Sequence, residues 1–386
     1  MNVLFTTQPA YGHLHPMVPL GRALAGFGHD VRVMSSRSFQ PQLSASGLVG
    51  IVGGMDWLES DIAGGFPEYA EHRARGESKR YLQSEIFGWR TARAMASDIE
   101  SAARGWRVDV IVREPWEFGG AVAAAKLGVP CVLHGVGSAA NVEEVFDLAG
   151  DRLRELGNEV GFEGLNWLSG ATYIDPCPPS LQQASPSFNP EHHQPIRPEP
   201  FDTTDGATVQ PAWLDGLGDR PVVYVGLGTV MNRWGGLLER IVEDLRQVEA
   251  DIVVTAGPGR DPSDLGTQPD NVHVEEYVPL TLLFPKCDVV VCHAGWGTTI
   301  TALSHGLPLL AVPLGADGPR TAARVHQLGI GTVLTPDEVR PGAIAAHVTN
   351  LITDPSYRRA AETARNQIDQ MPTPDVAARF VEAAAS

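Results

Sequence analysis

Short runs of β-branched and aliphatic residues recur along this chain, separated by stretches of helical spacing. The first run is Asn2–Thr6, and Thr7–His15 follows as a loop containing Gly12. Pro16–Phe27 carries Leu20, Leu24 and Phe27 at the spacing of a helix with one buried face. Gly28, His29 and Asp30 end it, Val31–Ser35 reads as a second strand and Val49–Val52 as a third. From Met55 to Gly88 the pattern fades into glycine, charge and scattered aromatics, which predicts loops and short helices. Helical spacing returns over Ser84–Arg104. A strand at Val108–Arg113, a helix around Ala121–Lys126, a strand at Pro130–His134 and a helix over Asn141–Leu156 follow.

A second series begins at the strand Pro221–Gly226. It continues with a helix over Leu237–Val248 and strands at Ile252–Thr255 and Val272–Val274. Asp288–Cys292 and Leu309–Val312 are the next strands, with helical spacing between them over Thr298–Ser304. A helix near Pro319–Leu328, a strand at Thr332–Leu334 and helices over Tyr357–Ile368 and Asp375–Ala384 complete it. Strands alternating with helices predict an α/β protein built from doubly wound parallel sheets. Between the series, eight prolines fall from Pro176 to Pro200. That density excludes helix and central sheet and predicts an extended linker. The expected organisation is an N-terminal Rossmann-like domain over 1–175, a linker over 176–218, a C-terminal Rossmann-like domain over 219–370 and a terminal helix over 371–386.

Composition narrows the chemistry. At 386 residues, 43% of them hydrophobic, the chain suits two globular domains. Its formal charge of −17 argues against nucleic acid and anionic membranes as partners. The same field repels a nucleoside diphosphate, so binding one requires local donors. Cys131, Cys177, Cys287 and Cys292 form no C-x-x-C pair and read as reduced core residues, which suits the cytoplasm. No apolar run reaches the ~18 residues of a membrane span. The first residues lack a basic leader and run directly into a strand.

The most informative stretch is Asp288–Asp317. After the strand comes His293-Ala294-Gly295-Trp296-Gly297-Thr298-Thr299, then the helix, with Gly306 placed as its C-cap. Two glycines admit a ligand close to the backbone, and the helix start turns free N–H groups and a positive dipole end toward it. Thr298, Thr299 and His293 add donors suited to a diphosphate. Alone, the turn is equally compatible with a structural role in which Thr298 caps the helix.

The wider pattern resembles the donor signature of family 1-like, GT-B-fold nucleotide-sugar glycosyltransferases, in the form found in actinobacterial natural-product enzymes (macrolide, enediyne and polyketide). The pattern "V-P-L … L-P … D … H-G-G-x-G-T … A-L … G-x-P … P … D-Q" is met by Val278-Pro279-Leu280, Phe284-Pro285, Asp288, His293 to Thr298, Ala302-Leu303, Gly306-Leu307-Pro308, Pro313 and Asp317-Gly318. Phe284 and Ala294 depart from it without removing a polar side chain. The resemblance implies two Rossmann-like doubly wound parallel-sheet domains facing across a cleft, with the terminal helix crossing back to the first domain.

It also implies site residues. The "G-H-x-x-P" pattern matches Gly12, His13 and Pro16, and its histidine is the family's general base; His15 falls on a variable position. A neutral imidazole suits that task, with a carboxylate to orient it. The "D-x-[VI]-x-x-[DE]-P" pattern matches Asp109, Ile111, Glu114 and Pro115, which selects Glu114, with Glu117 as substitute. On the donor side it implies Tyr277, Val278, His293, Gly295, Gly297, Thr298 and Asp317, and the residues themselves add Gly228 and Thr229, a glycine turn with a hydroxyl that can bind a phosphate oxygen at the end of the strand Pro221–Gly226. Tyr277 is the platform for the base and Asp317 the partner of sugar hydroxyls. Gly318 stands where the family has glutamine, which predicts a sugar with fewer hydroxyls, a deoxysugar. Arg320 is a further candidate for the diphosphate. Trp57, Trp89 and Trp116 are candidates for lining an acceptor pocket. No Asp-x-Asp metal motif occurs, so no metal or other cofactor is expected.

The function so implied is a metal-independent, inverting transfer of a sugar from a TDP- or UDP-sugar to a hydroxyl of a small-molecule aglycone. The alternatives are a nucleotide-sugar epimerase of the same fold and a catalytically silent nucleotide-sugar-binding protein. Neither the aglycone, the base, O- against N- or C-transfer, nor the oligomeric state is set by the sequence, and a homodimer stays open.

Overall fold

The structure is a computed structural model that describes residues 1–161, 172–183, 192–202, 211–229 and 234–385, with the side chains of Val142 and Glu143 excepted. The chain divides into two units. Unit 1 comprises Met1–Cys177, Gln182–Pro198 and Met371–Ser386; unit 2 comprises Pro178–Leu181 and Glu199–Gln370.

Unit 1 holds a seven-stranded sheet of β1 (Asn2–Thr6), β2 (Asp30–Ser35), β3 (Val49–Val52), β4 (Val110–Arg113), β5 (Cys131–His134), β6 (Thr172–Asp175) and β7 (His193–Pro195). The order is β3-β2-β1-β4-β5-β6-β7, and all neighbouring pairs are parallel. The winding reverses between β1 and β4, where Thr6 stands beside Arg113. A ligand crevice is expected outside the carboxyl ends of strands at such a reversal. One face packs Leu4, Ile111, Ala96, Ile99, Phe118 and Val122 into a core.

Two stretches differ from the sequence expectation. His193–Pro195, inside the proline-rich segment, pairs with β6 as an edge strand, a position where a sheet tolerates proline. Pro186 and Pro190 of that segment lie outside the described residues. The helix expected from Ser84 is wound as a wide π-helix over Leu82–Thr91 and becomes α-helical over Ala92–Ala102. The C-terminal helix Pro374–Ala384 buries Ala377, Ala378 and Val381. Arg379 lies over the Phe27 ring at 4.1 Å, and Glu382 meets His29 at 2.9 Å.

Unit 2 holds a six-stranded sheet of β8 (Val222–Gly226), β9 (Asp251–Thr255), β10 (Val272–Glu275), β11 (Val289–Cys292), β12 (Leu309–Ala311) and β13 (Gly331–Val333). The order is β10-β9-β8-β11-β12-β13, again wholly parallel, with the reversal between β8 and β11. Strand periodicity divides each strand between two faces. Val289 and Val291 of β11 join Val223, Val225, Ile252, Val254 and Leu310 in one core under the helices Leu237–Leu245 and Ala343–Thr353. Val290 and Cys292 face the other side and are equally buried.

Candidate active site

In unit 1, β1 leads into a short helical turn, Tyr11–Leu14, which presents His13. β4 ends at Arg113, so Glu114 leaves the carboxyl end of the neighbouring strand. The reversal of the sheet therefore brings His13 and Glu114 together. Nδ1 of His13 stands 3.0 Å from Oε1 of Glu114. Glu114 is fully buried. Its Oε1 accepts the Gln8 N–H at 3.1 Å and its Oε2 the Trp116 N–H at 2.7 Å, which hold it as a fixed carboxylate. Nη1 of the neighbouring Arg113 donates to the carbonyl oxygens of Glu114 and Glu117, and its Nε and Nη2 are buried with no hydrogen-bond partner among the described residues.

Nε2 of His13 stands 3.1 Å from Oε2 of Glu59. Burial opposes a charged ring here, but the carboxylates of Glu114 and Glu59 outweigh it and hold His13 well above the ordinary histidine value. Sequence reasoning missed Glu59, which lies in the segment of faded pattern on a single turn, Glu59–Asp61. No spacing ties it to His13; only the fold does. Gln8 was also missed. Besides bonding Glu114, its amide donates to the Thr91 hydroxyl and the Trp116 carbonyl, tying the loop after β1 to the π-helix and to the turn after β4.

The other unit 1 candidates separate clearly. Glu117 is committed elsewhere: it accepts the Thr6 hydroxyl and, at 2.7 and 2.8 Å, the N–H groups of Gly119 and Gly120, which start the helix Gly119–Leu127. Burial pushes His15 down to about 4, and its ring packs edge-on to Tyr11. Of the three tryptophans, Trp116 lies against His13, ring centres 4.9 Å apart. Trp57 is 5% exposed and packed on Phe66 and Phe87, and it lines a small cavity with Gln8, Pro9 and Thr91. Trp89 is flanked by the guanidinium groups of Arg93 and Arg152.

Unit 2 repeats the logic at its own reversal. Gly226 and Cys292 are register partners, so the loop after β8 meets the turn after β11. Gly228 and Gly295 bracket His293. A Cβ on Gly228 would fall 2.4 Å from the ring's Cε1, and one on Gly295 would fall 2.3 Å from Nε2. Both glycines are thus required by the imidazole between them. Nδ1 of His293 is buried with no hydrogen-bond partner among the described residues. Burial pushes the group down to about 4, so it is neutral at pH 7 and offers one N–H.

The helix after the turn runs over Trp296–Ser304 with Gly295 as N-cap, two residues earlier than its spacing predicts, so Thr298 is not the cap. Gly297 is exposed and Thr298 half-buried in the first turn. Thr299 is fully buried, with its hydroxyl near the Cys292 thiol but without a hydrogen-bond partner among the described residues. Thr229 is half-buried beside Gly228. Asp317 is partly committed: Oδ2 accepts the Trp296 N–H at 2.9 Å and so closes the helix start from across the turn. Tyr277 keeps 40% of its surface and donates its hydroxyl to Asp202 at 3.3 Å. Asp202 also accepts the Thr281 N–H and was not singled out in the sequence. Val278 is 1% exposed, which leaves only its backbone for a ligand. Arg320 is half-buried in the first turn of the helix Gly318–Gln327. Among the described residues no group of three or more His, Cys, Asp or Glu side chains is arranged to hold a metal ion.

The family profile described as "Erythromycin biosynthesis protein CIII-like, N-terminal domain" matches residues 22–228, and its C-terminal counterpart matches residues 239–383. The chain is 31% identical to the elloramycin glycosyltransferase of Streptomyces olivaceus, over 98% of this chain and 97% of that one. It is 30% identical to the L-demethylnoviosyl transferase of Streptomyces niveus, over 99% and 98%. Among solved structures, the glycosyltransferase VinC in complex with dTDP superposes with a TM-score of 0.84 at 26% identity, covering 100% of this chain and 99% of that one.

Proposed function

Because the chain belongs to the erythromycin biosynthesis protein CIII-like family of glycosyltransferases, we propose that it moves a deoxysugar from a TDP-sugar to a hydroxyl of a small natural-product aglycone, with inversion at C1. His13 takes the proton of the acceptor hydroxyl. Its oxygen forms the new bond to C1 as the bond from C1 to the diphosphate oxygen breaks, and TDP leaves. Glu114 holds the ring orientation and stabilises the imidazolium that results. In unit 2 the start of the helix Trp296–Ser304, the His293 N–H and the hydroxyls of Thr298 and Thr229 stabilise the departing diphosphate. These donors do so without a metal, and against the repulsion of a formal charge of −17. Tyr277 offers the exposed ring on which the base stacks.

The observation that carries transfer, rather than binding alone, is the His13 imidazole 3.0 Å from the fixed carboxylate of Glu114. A silent binding protein has no use for that pair. A deoxysugar donor is supported by relatives such as the aclacinomycin-T 2-deoxy-L-fucose transferase of Streptomyces galilaeus, 29% identical over 97% of this chain. TDP is supported by the nucleotide in the VinC complex. No helix among the described residues is long and apolar enough to cross a membrane, which suits a cytoplasmic enzyme meeting soluble substrates.

The test is thermal-shift titration with TDP and UDP, followed by incubation of TDP-deoxysugars and UDP-glucose with a panel of polyketide aglycones, read by mass. Stabilisation by TDP that His293→Ala abolishes supports the donor site. Glycoside formed in the presence of EDTA, and lost in His13→Ala, supports the proposed chemistry. Activity lost in EDTA and restored by magnesium would refute metal independence. An isomerised nucleotide sugar formed without acceptor points to the epimerase, and binding without turnover to the silent protein.

A further inference from the structure

Both ring nitrogens of His13 face carboxylates, and the two carboxylates are not alike. Glu114, on Nδ1, is fully buried and fixed by the N–H groups of Gln8 and Trp116. Glu59, on Nε2, keeps 18% of its side-chain surface and sits on the single turn Glu59–Asp61, whose backbone is tied to the loop by the Glu59 N–H on the Pro9 carbonyl. A neutral imidazole has one N–H and one lone pair, so it satisfies only one of two carboxylates. The other carboxylate would face a lone pair at about 3 Å. Two carboxylates at 3.0 and 3.1 Å favour the imidazolium by charge, even though Nδ1 makes no aligned hydrogen bond to Glu114. Yet Nε2, opposite Glu114, is the nitrogen that has to receive the acceptor's proton.

We propose that Glu59 is a positioning residue that holds His13 in its protonated, inactive form, and that the acceptor hydroxyl brings the base into action by displacing the Glu59 carboxylate from Nε2. The inference rests on the reading of His13 as the base. As Glu59 swings toward solvent, the Nε2 proton passes to water and the neutral ring turns its lone pair to the hydroxyl. Without acceptor the base stays charged, which protects the donor from attack by a water activated at Nε2. The other groups near the ring do not contribute a competing switch. Arg113 and Glu117, on the β4 side, are bound to backbone carbonyls and to Thr6, Gly119 and Gly120. His15, on the same loop, faces Tyr11, and Phe87 and Trp116 are uncharged.

The test is an NMR titration of the full-length chain carrying labelled histidine, without substrates, with His13 assigned by its loss in His13→Asn. The His13 midpoint is expected to move to lower pH in Glu59→Gln and to be largely restored in Glu59→Asp, which also serves if the glutamine variant does not fold. In the transferase assay the acid limb of kcat/KM, which reports the free enzyme, is expected to move down with it. Each pH unit of that movement raises the rate below the limb about tenfold. Identical midpoints in wild type and Glu59→Gln overturn the proposal, as does a uniform fall in kcat/KM with an unmoved limb, which makes Glu59 an acceptor contact. The NMR readout needs no turnover. A midpoint that moves in a protein without transferase activity therefore leaves the charge control standing and removes the reading of His13 as base.

Discussion

Replacing Gly318 by alanine tests how the donor turn is packed. Gly318 opens the helix Gly318–Gln327 and is buried. A Cβ there would lie 2.8 Å from the carbonyl oxygen of His293, with Pro313 at 3.8 Å. A carbon and a carbonyl oxygen rest at roughly 3.3 Å or more, so either the helix start or the His293 backbone has to retreat by about half an ångström. Overpacking of that kind costs roughly 1–3 kcal/mol. The smaller entropy of the unfolded chain returns roughly 0.4–1 kcal/mol on glycine-to-alanine replacement. The net is a destabilisation of about 1.5 kcal/mol, or a fall of about 3–6 °C in the melting temperature of a unit this size.

Gly297 supplies the control. It lies in the first turn of the neighbouring helix, and a Cβ there would meet nothing within 4 Å. Gly297→Ala is therefore expected to hold or raise the melting temperature, by up to about 1 kcal/mol of stability, while weakening TDP binding, because only an approaching diphosphate needs that space. Scanning calorimetry of the two variants, with and without TDP, separates the effects. If Gly318→Ala melts as high as wild type, the packing argument is wrong. The result also bears on sugar choice, since Gly318→Gln would shift the His293 backbone before its amide could reach a sugar.

Asp317→Ala removes the acceptor of the Trp296 N–H and is expected to lower stability by about 1 kcal/mol; Asp317→Asn retains most of it, and equal melting of the two would argue against the capping role. Ala294→Gly is expected to leave the melting temperature within about 2 °C of wild type, measured in the same calorimeter. Stability should peak near the ordinary histidine value of about 6.5, as measured by urea unfolding at pH 5, 6.5 and 8.5. Burial depresses His15, His134 and His293 to about 4 each, so the stability linked to their neutral forms is present above about 6.5 and lost as pH falls toward 4, by about 1.4 kcal/mol per unit for each. His13 has the opposite sign: its folded value is raised, so its contribution is present below about 6.5 and lost as pH climbs through that raised value. A flat profile between pH 5 and 6.5 would contradict the buried histidines.

Sequence periodicity located most strands of both sheets because the central ones are buried on two faces and written in β-branched residues; the edge strand Val49–Val52 is largely exposed and was legible from its valines and isoleucine alone. Asn2–Thr6 and Val49–Val52 agree with the structure to the residue. Two strands escaped for physical reasons. Thr172–Asp175 reads Thr-Tyr-Ile-Asp, so only Tyr173 and Ile174 stand between two polar ends, too brief an apolar run to mark a strand. His193–Pro195 is an edge strand whose side chains are not apolar, so its pairing depends on the neighbour rather than on its own composition. The pairing of His13 with Glu114 was legible through strand ends, since both residues leave the carboxyl ends of strands. Glu59 was not, because no periodic element carries it. The commitment of Asp317 and the burial of Thr299 were also hidden: each depends on what lies opposite across the turn, and spacing along the chain does not encode that.

Two departures from the family pattern show the same limit from the other side. In sequence, alanine for glycine at 294 and glycine for glutamine at 318 look like changes of a similar kind, one adding a methyl and the other removing a side chain. In the structure they answer different constraints. Ala294 adopts φ 61 and, with Ala316 at φ 51, is one of two non-glycine residues in the left-handed region among those described. That conformation costs an L-residue roughly 1–2 kcal/mol. Its methyl is buried against Ala311 and Ala322, worth about 0.8 kcal/mol, and the stiffer unfolded chain adds roughly 0.4–1 kcal/mol. The two sides nearly cancel, so alanine is tolerated where the pattern has glycine. At 318 the backbone is unstrained and the obstacle is the His293 carbonyl, which no gain in chain stiffness removes. Both residues bear on one short turn, the first through its dihedral angle and the second through contact. The position of the His293 ring is therefore set by backbone fit on two sides, and a side chain chosen for the sugar at 318 has to be compatible with that fit first.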